Sequence, residues 1–161
     1  HAVRVGEVNR LGTLVPAFRK RHPEYLVVVS STTDTGIAEA RRRFADLAVI
    51  AFPFDFSWAV GRALDAVRPT VVVLAESELW PNFLTAANAR RVPVVVANAR
   101  VSPRSFARLS RVKGAARRLL LGRVTTFAAQ ADETADRLLT LGVKPDRVAR
   151  AGNVKFDGAS G

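Results

Sequence analysis

The run Thr70-Val71-Val72-Val73-Leu74-Ala75, followed at once by Glu76-Ser77-Glu78-Leu79-Trp80-Pro81, decides the fold. Its apolar residues are continuous rather than alternating. A strand with one wet face alternates polar and apolar side chains. A strand covered on both faces does not, and that is the habit of parallel sheets. Similar runs recur at 25–30, 47–52, 93–97, 125–129 and 147–151, and residues 2–5 read as a further strand end.

Segments of helical period lie between these runs. Residues 7 to about 21 carry Val8, Leu11, Leu14, Val15 and Phe18 on one face. Residues 36–44, 56–67, 81–91, 103–123 (with room for a break at Gly114) and 132–141 follow the same period. His22-Pro23 and Arg68-Pro69 end two of the helices, and Pro81 opens another where a missing N–H is harmless. Strand and helix therefore alternate. The fold class this predicts is α/β: a doubly wound, mostly parallel Rossmann-like sheet with helices on both faces. One domain over 1–152 is expected, with 153–161 as the start of an interdomain linker.

Composition narrows the function. At 161 residues, with 48% hydrophobic and 24% charged residues, the chain is long and apolar enough for a globular core. It has no Cys, which removes disulfide and thiolate chemistry. His1 and His22 are its only histidines, which nearly excludes a His-based metal site. No apolar run approaches the ~18 residues of a spanning helix, and no signal peptide is visible. The absence of Met and the start at His1 predict a piece of a longer protein, with any anchor or second domain outside it. The net charge of +11 favours an anionic partner, whether nucleic acid, an acidic membrane face or a phosphorylated substrate, but equally suits a solvated Arg-rich surface.

In open α/β sheets, ligands sit beyond the carboxyl ends of the strands where strand order reverses. For the order 3-2-1-4-5 that point lies between the first and fourth strands. It would draw Gly6 and Glu7, after the first, towards Glu76 and Glu78, after the fourth. Gly6 stands alone before a carboxylate, so the turn lacks the glycines that cradle a pyrophosphate, and a dinucleotide is excluded there. A carboxylate in a crevice can instead accept a hydroxyl proton. It can also merely complement a helix dipole, a stabilisation of ~0.3–1 kcal/mol.

The other candidates carry two readings each. Glu76 and Glu78 could form an interacting carboxylate pair, or an exposed loop with Ser77 as a helix cap and Trp80 as a packed lid. Thr33 and Thr35, in Thr32-Thr33-Asp34-Thr35-Gly36, offer a sugar or anion contact at a helix start, or simply an N-cap. Asn98 and Arg100 could hold a polar substrate or form an ordinary turn. Arg104, Arg108 and Arg111 recur at i, i+4, i+7 as a basic stripe, suited to anionic headgroups or to solvent. No nucleic-acid-binding signature accompanies them, so no nucleic acid is expected.

Five stretches then fall in a telling order: HAVRVGEVN (1–9), STTDTG (31–36), ESELWPN (76–82), VVVANARVS (94–102) and GNVKFD (152–157). With them the whole chain resembles the N-terminal domain of the Kdo (3-deoxy-D-manno-octulosonic acid) transferases, glycosyltransferase family 30. The resemblance implies the first half of a two-domain GT-B enzyme. Such an enzyme transfers Kdo from CMP-Kdo to a lipid A precursor with inversion, at the cytoplasmic face of the inner membrane. It implies Glu7 as catalytic base and Glu78 as the second essential acid. Gly6, Thr33, Thr35, Glu76, Trp80, Asn98 and Arg100 are expected around the acceptor. No metal or cofactor is expected; the donor would be held mainly by a C-terminal domain, and the anionic membrane surface is an expected partner.

Two positions depart from the pattern. Arg4 stands where the family usually has Ser, and Asp34 where Pro or another residue is common. An Arg4 turned inward would lower the pKa of Glu7; turned outward it would do nothing. Two other readings compete: a non-catalytic basic module for anionic membrane or nucleic acid, and a GT-B transferase for another sugar acceptor.

Overall fold

A computed structural model describes residues 1–151. The chain divides into two compact units, His1–Phe54 and a second that begins at Asp55.

The first unit contains α1 (Val5–Arg21), β1 (Val28–Ser31), α2 (Asp34–Arg43) and β2 (Ala48–Ala51). β1 and β2 pair in parallel, Val29 beside Val49 and Ser30 beside Ile50. α1 packs on α2, and α2 on both strands. Val8, Leu11 and Val15 of α1 are buried, as are Ala40, Phe44 and Val29, so the apolar stripe expected from the sequence is the stripe that faces the core.

Two expectations need correction here. Residues 2–5 do not form a regular strand. Ala2 N–H donates to the Ser30 carbonyl at 3.0 Å, and Val5 already belongs to the helix. The helix expected from residue 7 thus starts two residues earlier and holds Glu7 in its first turn. The strand expected at 25–30 begins only at Val28. Tyr25 N–H closes a turn onto the His22 carbonyl, and Leu26 is 98% exposed, so these residues lack the cover a buried strand requires.

The second unit contains α3 (Ser57–Val67), β3 (Val72–Leu74), α4 (Pro81–Ala89), β4 (Val94–Ala99), α5 (Pro103–Arg111), α6 (Lys113–Leu119), β5 (Thr126–Ala129), α7 (Asp132–Thr140) and β6 (Val148–Arg150). Its sheet is parallel throughout, in the order β3-β4-β5-β6. Phe83, Leu84, Val94, Val96, Phe127 and Leu138 fill the core around it. Each such side chain stabilises the fold by about 1.5–3 kcal/mol on burial.

Pro81 occupies the first position of α4, as its sequence predicts. The long helix expected over 103–123 breaks at Val112 rather than Gly114. Val112 leaves helical geometry (φ −122°, ψ 33°), while Gly114 sits inside the first turn of α6.

Two devices lock the second unit. The carboxylate of Asp55 accepts the backbone N–H groups of Asn82 (3.0 Å) and Phe83 (2.8 Å) at the start of α4. Arg150 bridges Asp132 and Asp136, tying β6 to α7.

Candidate functional site

In the first unit two of the candidates, Glu7 and Thr33, meet at one residue, Val3. Val3 N–H donates to Glu7 Oε2 at 2.8 Å, and the Val3 carbonyl accepts from Thr33 Oγ1 at 2.8 Å and Ser31 Oγ at 3.2 Å. Glu7 is only 5% exposed. Its position explains the contact: a carboxylate three residues into a helix reaches back over the helix start, where backbone N–H groups lack partners. Besides Val3, the positive amino group of His1 lies near enough to feel the Glu7 charge, which opposes the lowering of that amine's pKa to about 6 by burial. Arg4, the residue ahead of the helix, is exposed, whereas Glu7 is buried.

Thr33 is the N-cap of α2, accepting from Gly36 N–H at 3.1 Å while donating to Val3. Its hydroxyl is thus engaged on both sides by the scaffold. Thr35 is exposed in the first turn of α2. Gly6 is exposed with open space where a side chain would stand.

In the second unit the candidates lie along the carboxyl ends of β3, β4 and β5. Glu76, Glu78 and Trp80 are half-buried in the segment after β3. Ser77 has a task other than helix capping: its Oγ accepts from Arg100 N–H at 2.7 Å, joining the segment after β3 to the segment after β4. Asn98 lies within β4 and is 4% exposed, whereas Arg100 is exposed.

Sequence reasoning missed Ser77 as a tether and Asp55 as a cap, because their partners stand 23 and 27–28 residues away. It also missed Gln130, directly after β5, for which no motif gave a signal.

The motif GNVKFD at 152–157 falls outside the described residues, as does the expected linker. No helix among the described residues is long and apolar enough to cross a membrane. Among the same residues no group of three or more His, Asp or Glu side chains is placed to hold a metal ion.

Parallel strands joined by crossover helices, with polar residues along the carboxyl ends, define a Rossmann-like α/β protein. A crystal structure of a putative UDP-N-acetylglucosamine 2-epimerase from Listeria monocytogenes shares this fold. Its TM-score is 0.64 at 13% identity, over 92% of this chain and 42% of that one. The sequence is more specific. The family model described as 3-deoxy-D-manno-octulosonic-acid transferase (kdotransferase) matches residues 1–158, and the chain belongs to that family.

The 3-deoxy-D-manno-octulosonic acid transferase of Bordetella pertussis is 36% identical over 163 residues, and that of Haemophilus influenzae 31% over 158. Each alignment covers 98% of this chain and 37% of the relative. A bifunctional glycosyltransferase/methyltransferase of Fusobacterium nucleatum is 31% identical over 159 residues, covering 97% of this chain and 24% of the relative. The chain thus spans little more than a third of the length of the single-function relatives and corresponds to their N-terminal part.

Proposed function

We propose that this chain is the acceptor side of an inverting glycosyltransferase that moves Kdo from CMP-Kdo to a lipid A precursor. The observation that carries the reading is Glu7. It is a buried carboxylate held through one oxygen by Val3 N–H, in a chain whose family transfers a sugar. A carboxylate held in place by its own backbone is suited to receive a proton without reorganising.

In the step we propose, the acceptor hydroxyl oxygen attacks the anomeric carbon of Kdo. Its proton passes to Glu7, the bond from that carbon to the CMP oxygen breaks, and CMP leaves with the electron pair. One displacement inverts the anomeric centre. Glu78 and the segment Asn98–Arg100 bind the acceptor, and the donor is held mainly by a C-terminal domain beyond this chain. In this reading the reaction takes place at the cytoplasmic face of the inner membrane. There the exposed Arg104, Arg108 and Arg111 of α5 would face anionic headgroups.

The test is Glu7→Gln in the full-length protein. The amide keeps an oxygen for Val3 N–H but cannot take up the proton. Transfer should fall by about 10²–10⁴-fold, the usual contribution of a general base, while CMP-Kdo binding stays unchanged. Turnover within a few-fold of the parent would remove Glu7 from the role of base.

A further inference from the structure

The side-chain oxygens Asn98 Oδ1 and Gln130 Oε1 are buried and have no hydrogen-bond partner among the described residues. Buried polar atoms in folded proteins are almost always partnered, because desolvation without a replacement bond is unfavourable. Each of these two therefore calls for an explanation, and their positions suggest a common one.

Asn98 and Gln130 stand at the carboxyl ends of neighbouring parallel strands. Ala99 is in register with Ala129, and Gln130 N–H donates to the Ala99 carbonyl at 3.0 Å. Register also shifts around Asn98: from the pair Val96–Phe127 to the pair Ala99–Ala129, β4 advances three residues and β5 two. The extra residue re-aims side chains locally, a device common beside binding sites. The tether from Arg100 N–H to Ser77 Oγ brings the segment after β3 to the same rim.

We infer that Asn98 and Gln130 together form a hydroxyl-binding subsite, in which their two amide oxygens accept hydrogen bonds from the acceptor sugar. The chemistry selects this ligand class. Two carbonyl-type oxygens accept and do not donate. They suit a face of hydroxyl groups and would leave a phosphate or carboxylate unsatisfied. Gln130 is the new element, since no sequence motif or family assignment marked it. The inference rests on the glycosyltransferase reading and specifies which chain atoms hold the acceptor.

The full-length protein carrying Asn98→Leu or Gln130→Met tests it, by steady-state transfer with acceptor and CMP-Kdo varied in turn. These apolar replacements keep side-chain size and remove the acceptor oxygens. Asn98→Ala and Gln130→Ala are measured beside them, so that a bulky variant that fails to fold does not end the test. The expected result is a rise of about five- to tenfold in the acceptor KM for each variant, with kcat and the CMP-Kdo KM unchanged and no loss of Tm.

An unchanged acceptor KM together with a lowered Tm would overturn the subsite and make both amides structural. A shift in the CMP-Kdo KM alone would also overturn it, by moving the contact to the donor. If the parent protein transfers no Kdo at all, the underlying reading fails with it. A parent that transfers normally, beside variants that do not move the acceptor KM, refutes the subsite only.

Discussion

Replacing Asp55 by Ala should loosen the start of α4 and, with it, the segment that carries Glu78 and Trp80. Trp80 is the N-cap of that helix and makes no side-chain capping bond, and Pro81 at the first position has no N–H. The next two N–H groups, of Asn82 and Phe83, both donate to the Asp55 carboxylate, at 3.0 and 2.8 Å. Asn82 Nδ2 also donates to the Asp55 carbonyl at 2.6 Å, which the substitution leaves in place. Losing a capping carboxylate costs about 0.5–2 kcal/mol. For a chain of this length that is a fall in Tm of about 1–8 °C.

The local readout is sharper than the global one. Amide exchange at Asn82 and Phe83 should accelerate by about 2- to 30-fold, the factor equivalent to that free energy. Asp55→Asn, which keeps one oxygen but loses the charge, should fall between parent and Ala variant. Thermal unfolding followed by circular dichroism and amide exchange followed by NMR measure both effects. Unchanged exchange at Asn82 and Phe83 in Asp55→Ala would show that the carboxylate does not cap the helix.

Gly36→Ala should destabilise the first unit by about 1–3 kcal/mol, because a Cβ there would press on Ser31 Oγ and lie 2.8 Å from Thr33 Oγ1 and 2.9 Å from the Val3 carbonyl. Urea unfolding measures this, and a midpoint equal to the parent's would show that α2 shifts freely. A second expectation concerns pH. Arg90 hydrogen-bonds Asp65 at 2.7 Å and holds its carboxyl below the usual range. The folded pKa is thus below the unfolded one, so the stabilisation is present above the unfolded carboxylate's pKa and fades as pH falls through the folded value. Asp65→Asn should lower Tm slightly at neutral pH and not at all in acid. The pair is exposed, so salt should shrink the difference. A Tm difference that persists unchanged in acid would contradict the ion-pair origin.

Sequence and structure divide the explanation unevenly. The continuous apolar runs at 71–74 and 93–97 announced parallel, doubly covered strands, and both are parallel strands in the sheet. Pro81 and Pro103 marked helix starts, and each stands in the first turn of its helix. The stripe Val8, Leu11 and Val15, legible in the sequence, is the buried face of α1. All of these are local signals. Side-chain period, the missing N–H of proline and the continuity of an apolar run operate within a few residues, so they are written in the sequence itself.

The strand at 2–5 failed for a related reason. A few apolar residues fit a strand or the approach to a helix equally well, and here the backbone partner of Ala2 decided for an extended segment that gives way to α1. Glu7 could be nominated from its place after Gly6 and from the family's pattern. Its burial and its bond to Val3 became visible only with the fold.

Tertiary structure alone decided what reaches across the chain. That Asp55 caps a helix starting at Pro81, that Ser77 holds Arg100, and that Asn98 and Gln130 bury unpartnered oxygens on adjacent strands are facts of strand pairing and packing. No periodicity encodes a partner 20 or more residues away. Such contacts exist only once β3, β4 and β5 have lined up their carboxyl ends.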